Sequence, residues 1–127
     1  MTEFIFQQLQ ANIPALTVAG NTNVYPQRLP DTKNPDVFVI YNLIRKPVVY
    51  NMTVGYYQLT CVARTYDDAN NLVNQVASLF QSKVFAGVGD PVSTTVDQIT
   101  EMPFDELSKY YLFAVTVRVK SQKEITV

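Results

Sequence analysis

The stretch Tyr56-Tyr57-Gln58-Leu59-Thr60-Cys61-Val62-Ala63-Arg64-Thr65-Tyr66-Asp67-Asp68-Ala69-Asn70-Asn71-Leu72-Val73-Asn74-Gln75-Val76-Ala77-Ser78-Leu79-Phe80 changes its apolar period halfway along. Its first part alternates as a strand does, with Tyr57, Leu59, Cys61 and Ala63 on one face and Gln58, Thr60 and Arg64 on the other. Val62 is the apolar exception on the second face. From Thr65 onward Ala69, Leu72, Val73, Val76, Ala77 and Phe80 recur at helical spacing and form one apolar stripe. Thr65 with Asp68 three residues later reads as a helix start, a hydroxyl N-cap with acids at the positive end of the helix dipole. A strand therefore runs directly into a helix that must bury its stripe on a sheet.

Working outward toward the N-terminus, Thr2 to Gln10 predicts a short helix, with Phe4, Ile5, Leu9 and Ile13 on one side and Pro14 and Gly20 beyond its end. A brief extended piece around Val24 and Tyr25 stops at Pro26, and Leu29 to Asp36 has the prolines and aspartates of a loop. Val37 to Ile44 is apolar almost throughout. Such a run suits a strand covered on both faces, or one whose second face meets another subunit. Arg45, Lys46 and Pro47 interrupt it, and Gly55 is expected to mark a turn or bulge.

Toward the C-terminus the helix is expected to fade through Lys83. Phe85 to Pro91 reads as a loop with two glycines, lacking the lysine and the glycine spacing of a phosphate loop. Val92 to Met102 is β-branched and predicts a strand. Pro103 to Ser108 reads as a polar turn. Tyr110 to Lys120 is the clearest strand, with Tyr111, Phe113, Val115, Val117 and Val119 on one face and Thr116, Arg118 and Lys120 on the other. Gln122 to Val127 reads as a tail. The order predicts one α+β domain over residues 1–127, a mostly antiparallel sheet with two helices on one face.

Composition narrows the chemistry. At 127 residues the chain is long enough for one packed core, and 47% hydrophobic against 17% charged residues argues against disorder. A formal charge of −1 gives no global basic field for nucleic acid. There is no histidine, which excludes Ser-His and Cys-His nucleophile pairs and histidine metal sites. Cys61 is the one cysteine, mid-strand on the apolar face, so neither an intramolecular disulfide nor a thiolate cluster is possible.

The acids are scattered. Asp67 and Asp68 read as helix-capping residues, Asp105 and Glu106 as solvating a turn, and Asp97 and Glu101 lie four apart. No local carboxylate dyad is predicted, and no enzyme, cofactor or metal is expected. No apolar run approaches the roughly 20 residues of a membrane span, and no signal peptide is visible. The expectation is a soluble protein made in a cytoplasm. Tyr41, Tyr50, Tyr56, Tyr66 and Tyr110 read as lying at strand ends and loops, positions that commonly serve protein contacts.

Three segments together resemble the tail terminator proteins of long-tailed bacteriophages, also called tail completion or tail-to-head joining proteins. They are Pro35 to Tyr41, the join from Tyr57 to Ala69 with its Ala63-Arg64-Thr65-Tyr66-Asp67-Asp68-Ala69 core, and the final Tyr110 to Val119. The resemblance implies a structural virion protein at the head–tail junction, assembled in the host cytoplasm, without catalysis or cofactor. It further implies a homo-oligomeric ring, typically a hexamer, that caps the tail tube. Its partners would then be the tail tube protein and a head-completion protein, with DNA passing through the lumen without sequence-specific binding.

Two alternatives stand beside this reading. One is a small-molecule or peptide-binding α+β module, and the other is a different ring-forming virion protein such as a head-closure or tail tube subunit. A ring needs two complementary patches on each subunit. The candidates are the second face of Val37 to Ile44 and two loops of mixed charge and tyrosine, giving Asp31, Lys33, Arg45, Lys46, Tyr50 and Tyr56 as candidate contact residues.

Overall fold

The period change at Thr65 is where strand meets helix in the computed structural model, which describes residues 2–18, 21–27, 29, 35–45, 48–49, 52–85 and 92–121. Strand β6 (Met52–Ala63) ends there and helix α2 (Tyr66–Phe80) begins, with Thr65 extended at φ −117° and its hydroxyl accepting from the Asp68 amide. Before it come helix α1 (Thr2–Asn12), a 3-10 turn (Pro14–Leu16), and strands β1 (Thr17–Val18), β2 (Asn21–Thr22), β3 (Val24–Pro26), β4 (Val37–Arg45) and β5 (Val48–Val49). After it come β7 (Lys83–Phe85), β8 (Val92–Glu101) and β9 (Tyr111–Ser121).

β1 and β2 form a small ribbon of their own. The main sheet has the order β3-β4-β6-β9-β8-β7, with β5 also paired to β6. Only β3 and β4 run parallel; the other pairs are antiparallel. The class is α+β, as the sequence pattern predicts.

Both helices lie on one face. Ile5, Leu9 and Ile13 of the N-terminal segment and Ala69, Leu72, Val73, Val76 and Phe80 of α2 join one core with Val39, Leu59, Cys61, Phe113, Val115, Val117 and Val119 of the sheet. A Leu, Ile, Val or Phe fully buried this way contributes about 1.5–3 kcal/mol, against about 1 kcal/mol for the Thr65 cap, so packing outweighs capping in holding α2. The helix end is tied down as well. The Thr94 hydroxyl donates to the Phe80 carbonyl at 2.7 Å, and the Val96 amide donates to Gln81 Oε1 at 3.2 Å. Ser82, at φ +48°, then reverses the chain into β7.

Three expectations change. Gly55 marks neither a turn nor a bulge: it pairs with Val119 inside an unbroken β6–β9 ladder. The irregularities fall instead between Leu43 and Arg45 on β4 and between Val96 and Gln98 on β8. The weak strand preference of glycine is overridden by a ladder that continues on both sides of it. Lys83 to Phe85 is a strand, not fading helix or loop, because the edge of β8 offers it hydrogen bonds. Tyr41 and Tyr56 lie within β4 and β6, not at strand ends or in loops; Tyr41 is buried, and burial raises its hydroxyl pKa. The glycines after Phe85 and the tail from Gln122 lie outside the described residues.

The packing predicts that Leu72→Ala lowers stability by about 2–5 kcal/mol, as a buried large-to-small change. Val84→Ala, at a side chain 71% exposed, should change it by no more than about 0.5 kcal/mol. Urea unfolding of both variants measures the contrast; equal midpoints would remove α2 from the core.

Candidate functional site

With the helices on one face, no helix covers the other face of the sheet among the described residues. Cross-strand register arranges it in rows. Phe38, Val62 and Leu112 make the first row. Ile40, Thr60, Ala114 and Thr100 make the second, and Asn42, Gln58, Thr116 and Gln98 the third. Arg45, Tyr56, Arg118 and Thr95 share the fourth, and Val54, Lys120 and Ser93 the fifth. The face therefore grades from apolar, through uncharged polar, to cationic.

The apolar end is closed. Phe38, Val62 and Tyr110 form a second buried cluster covered by Tyr25, Leu29, Ile40 and Leu112. The Phe38 ring stands edge-on to Tyr110 at 5.2 Å. Arg64 holds this end together. Its backbone amide donates to the Asp36 carbonyl at 3.0 Å and its Nη1 to the Ser108 carbonyl at 2.8 Å. Its guanidinium lies 4.0 Å from the centre of the Tyr110 ring. The Tyr110 hydroxyl donates to the Pro35 carbonyl at 2.8 Å; burial raises its pKa, with Arg64 acting the other way. The ion pair of Arg64 with Asp36 is long, at 3.9 Å, and the Asp36 side chain is 90% exposed, so it contributes little.

Beyond this cluster, the connection from β8 to β9 is a turn held by internal hydrogen bonds. Asp105 Oδ1 accepts from the amides of Leu107 (3.1 Å) and Ser108 (3.4 Å), and the Asp105 amide donates to the Tyr110 carbonyl at 3.0 Å. These bonds, led by those from Ser108, hold the Asp105 carboxyl below its usual range. Leu107 stands at the tip, 97% exposed. Glu101, Asp105 and Glu106 surround the turn, with Lys109 3.6 Å from Glu106. Behind the turn Tyr66, Phe104, Tyr111 and Phe113 are in ring contact. A hydrogen bond to the Glu101 carboxylate raises the pKa of the Tyr66 hydroxyl.

Of the residues singled out by sequence, Asp31, Lys33, Lys46 and Tyr50 lie outside the described residues. Arg45 is the last residue of β4, and it is opposite the half-buried Tyr56 in register. Arg118, on the far side of Tyr56, joins them in the same row, with Lys120 two residues on. Sequence alternation places Arg118 and Lys120 on a polar face but gives no means of pairing them with Tyr56. Leu107 was missed because an apolar residue in a polar turn has no periodicity. A shallow groove of about 530 Å³ between α1 and the end of α2 is lined by the amides of Asn12, Asn74 and Gln75 and by Leu79 and Phe85.

Cys61 is fully buried, and burial alone raises its thiol pKa. Among the described residues no three His, Cys, Asp or Glu side chains gather to hold a metal, and no helix is long and apolar enough to cross a membrane.

No protein-family model and no curated protein matches the sequence. Solved structures do match in fold. A chain from the virion of a native gene transfer agent particle superposes with a TM-score of 0.66, covering 92% of this chain and 90% of its own at 13% identity. A second solved protein covers 99% of both chains with a TM-score of 0.61 at 14% identity.

Two outcomes are expected at this end of the molecule. Arg64→Lys keeps the charge but loses the planar fork, and should cost about 1–3 kcal/mol, whereas Asp36→Ala should cost no more than about 1 kcal/mol. Thermal unfolding of the two variants compares them. For Asp105 the folded pKa is depressed, so its stabilisation is complete above the unfolded value of about 3.9 and is lost as pH falls through the lower folded value. A carboxyl NMR titration should find Asp105 titrating below that value, with the Leu107 amide signal moving in step; an ordinary midpoint would remove the turn hydrogen bonds.

Proposed function

We propose that this chain is a structural protein of a phage-like virion, of tail terminator type, that acts by assembly and not by catalysis. The observation that carries the reading is the fold shared, over nearly the full length of both chains, with a chain of a gene transfer agent virion. The three segments that resemble tail terminators fall on β4, on the β6–α2 join and on β9, the elements that build the sheet and its principal helix. In this reading copies close into a ring, six in number, that caps the tail tube, meets the head on its other side and lets DNA through the lumen. The polar and cationic part of the open sheet face, with Tyr56 and Arg118, is the surface offered to a neighbour, and Arg45 and Lys46 are among the contact residues in this reading.

The amide-lined groove between the helices favours the rival reading, a module for a small ligand or peptide. The two differ in particle size. Negative-stain micrographs and light scattering of the purified protein should show closed rings, and addition to tail tubes should place one ring at a tube end. A monomer at every concentration would overturn the ring; rings that ignore tube ends would point to another ring-forming virion protein, such as a head-closure subunit. The double variant Arg45→Glu with Lys46→Glu should keep the circular dichroism spectrum of the parent while forming fewer rings.

A further inference from the structure

The two ends of the sheet differ in sign and share a chemistry. None of β4, β5, β6, β7 and β9 contains an Asp or Glu; the carboxylates of the main sheet are both on β8, Asp97 in mid-strand at the register shift and Glu101 at its end. The acids then continue past Glu101 into the turn, as Asp105 and Glu106. At the opposite end Arg118 and Lys120 make no ion pair among the described residues, and Ile44, at the register shift of β4 beside Arg45, is 53% exposed. Each end thus offers an exposed apolar side chain beside charges of one prevailing sign.

Six residues of strand separate Leu112 from Arg118, about 20 Å at 3.3–3.4 Å per residue. That is more than twice the screening length of about 8 Å at physiological ionic strength. The ends therefore act as two separate fields.

We infer that these ends are the two halves of one self-contact, in which the Leu107 turn of one copy seats against the Ile44–Arg118 end of a second copy. Leu107 is suited to the role because its turn is already fixed by hydrogen bonds to Asp105, so binding does not have to order it. The partner is a second copy because the opposite end of the same chain carries the complementary charge and apolar surface. Either end meeting its own counterpart across a two-fold axis would set like charges together. The contact is therefore heterologous, the kind that closes into a ring or runs on as a filament. This inference rests on the ring reading above and names the surfaces that make the ring.

The test uses two charge-reversed chains, Glu101→Lys with Glu106→Lys and Arg118→Glu with Lys120→Glu, checked for folding by circular dichroism. Each alone should associate at least about tenfold more weakly than the parent. Mixed in equal amounts they should assemble again, because the reversed acidic end of one now complements the reversed basic end of the other. Leu107→Asp should weaken association as much without moving the melting temperature, since the side chain is exposed. Association of the unmodified chain should also fall as salt is raised, a measurement that needs no variant. Rings formed equally well by both reversed chains, by Leu107→Asp and at high salt would overturn this contact and leave the ring standing. A parent chain that stays monomeric would overturn both.

Discussion

Strand β6 is bonded on both edges, covered along one face and at one end of the other, and the remainder of the molecule is placed by that constraint. On one edge it pairs with β4 and on the other with β9, in a ladder from Thr53 to Ala63. On its helix face Leu59, Cys61 and Ala63 are buried under α2, and on the other face Val62 is buried under Phe38 and Tyr110. A one-residue slip would turn Val62 into the helix layer and set Leu59 and Cys61 on the open face. The alternation of this one strand thus fixes the register of its neighbours. It also fixes the place at which the chain must leave the sheet and become helix.

That departure links the core to the far end of the molecule. Arg64 is the first of the two residues between strand and helix; its backbone amide donates to the Asp36 carbonyl before β4 and its Nη1 to the Ser108 carbonyl before β9. Three strand ends are thereby gathered at one residue. The bonds to carbonyls and the stacking on Tyr110 outweigh the exposed pairing with Asp36, whose ion pair is long. The β8–β9 turn, with Leu107 at its tip, is positioned by the same arrangement.

Most of the fold was legible in the sequence because it follows from periodicity. The stripe of α2, the faces of β6 and β9 and the Thr65 cap were each readable from spacing alone, because a buried face imposes its period on the chain. β7 was not, since three residues are too few to show a period and its strand character comes from the edge of β8. Gly55 misled for the opposite reason: its intrinsic preference points to a break, while the pairing on β9 carries it through. The candidate surface was legible only in part. Tyr56 and Arg45 stand in one row of the sheet, but Arg118 enters that row from sixty residues away through a register that one sequence does not display. Asp31, Lys33, Lys46 and Tyr50 lie outside the described residues.

The short reach of β7 has a consequence for how the chain behaves before it meets any partner. β7 pairs with β8 only from Val92 to Thr94, so the outer edge of β8 beyond that point has no strand beside it among the described residues. A bare, flat edge of this kind is a template for indiscriminate cross-strand growth between molecules. Here it is interrupted three ways: Gln81 takes the Val96 amide, the register shift at Asp97 kinks the ladder, and Asp97 and Glu101 place carboxylates along the rim. The exposed part of the β8 edge is in this way guarded against amyloid-like stacking.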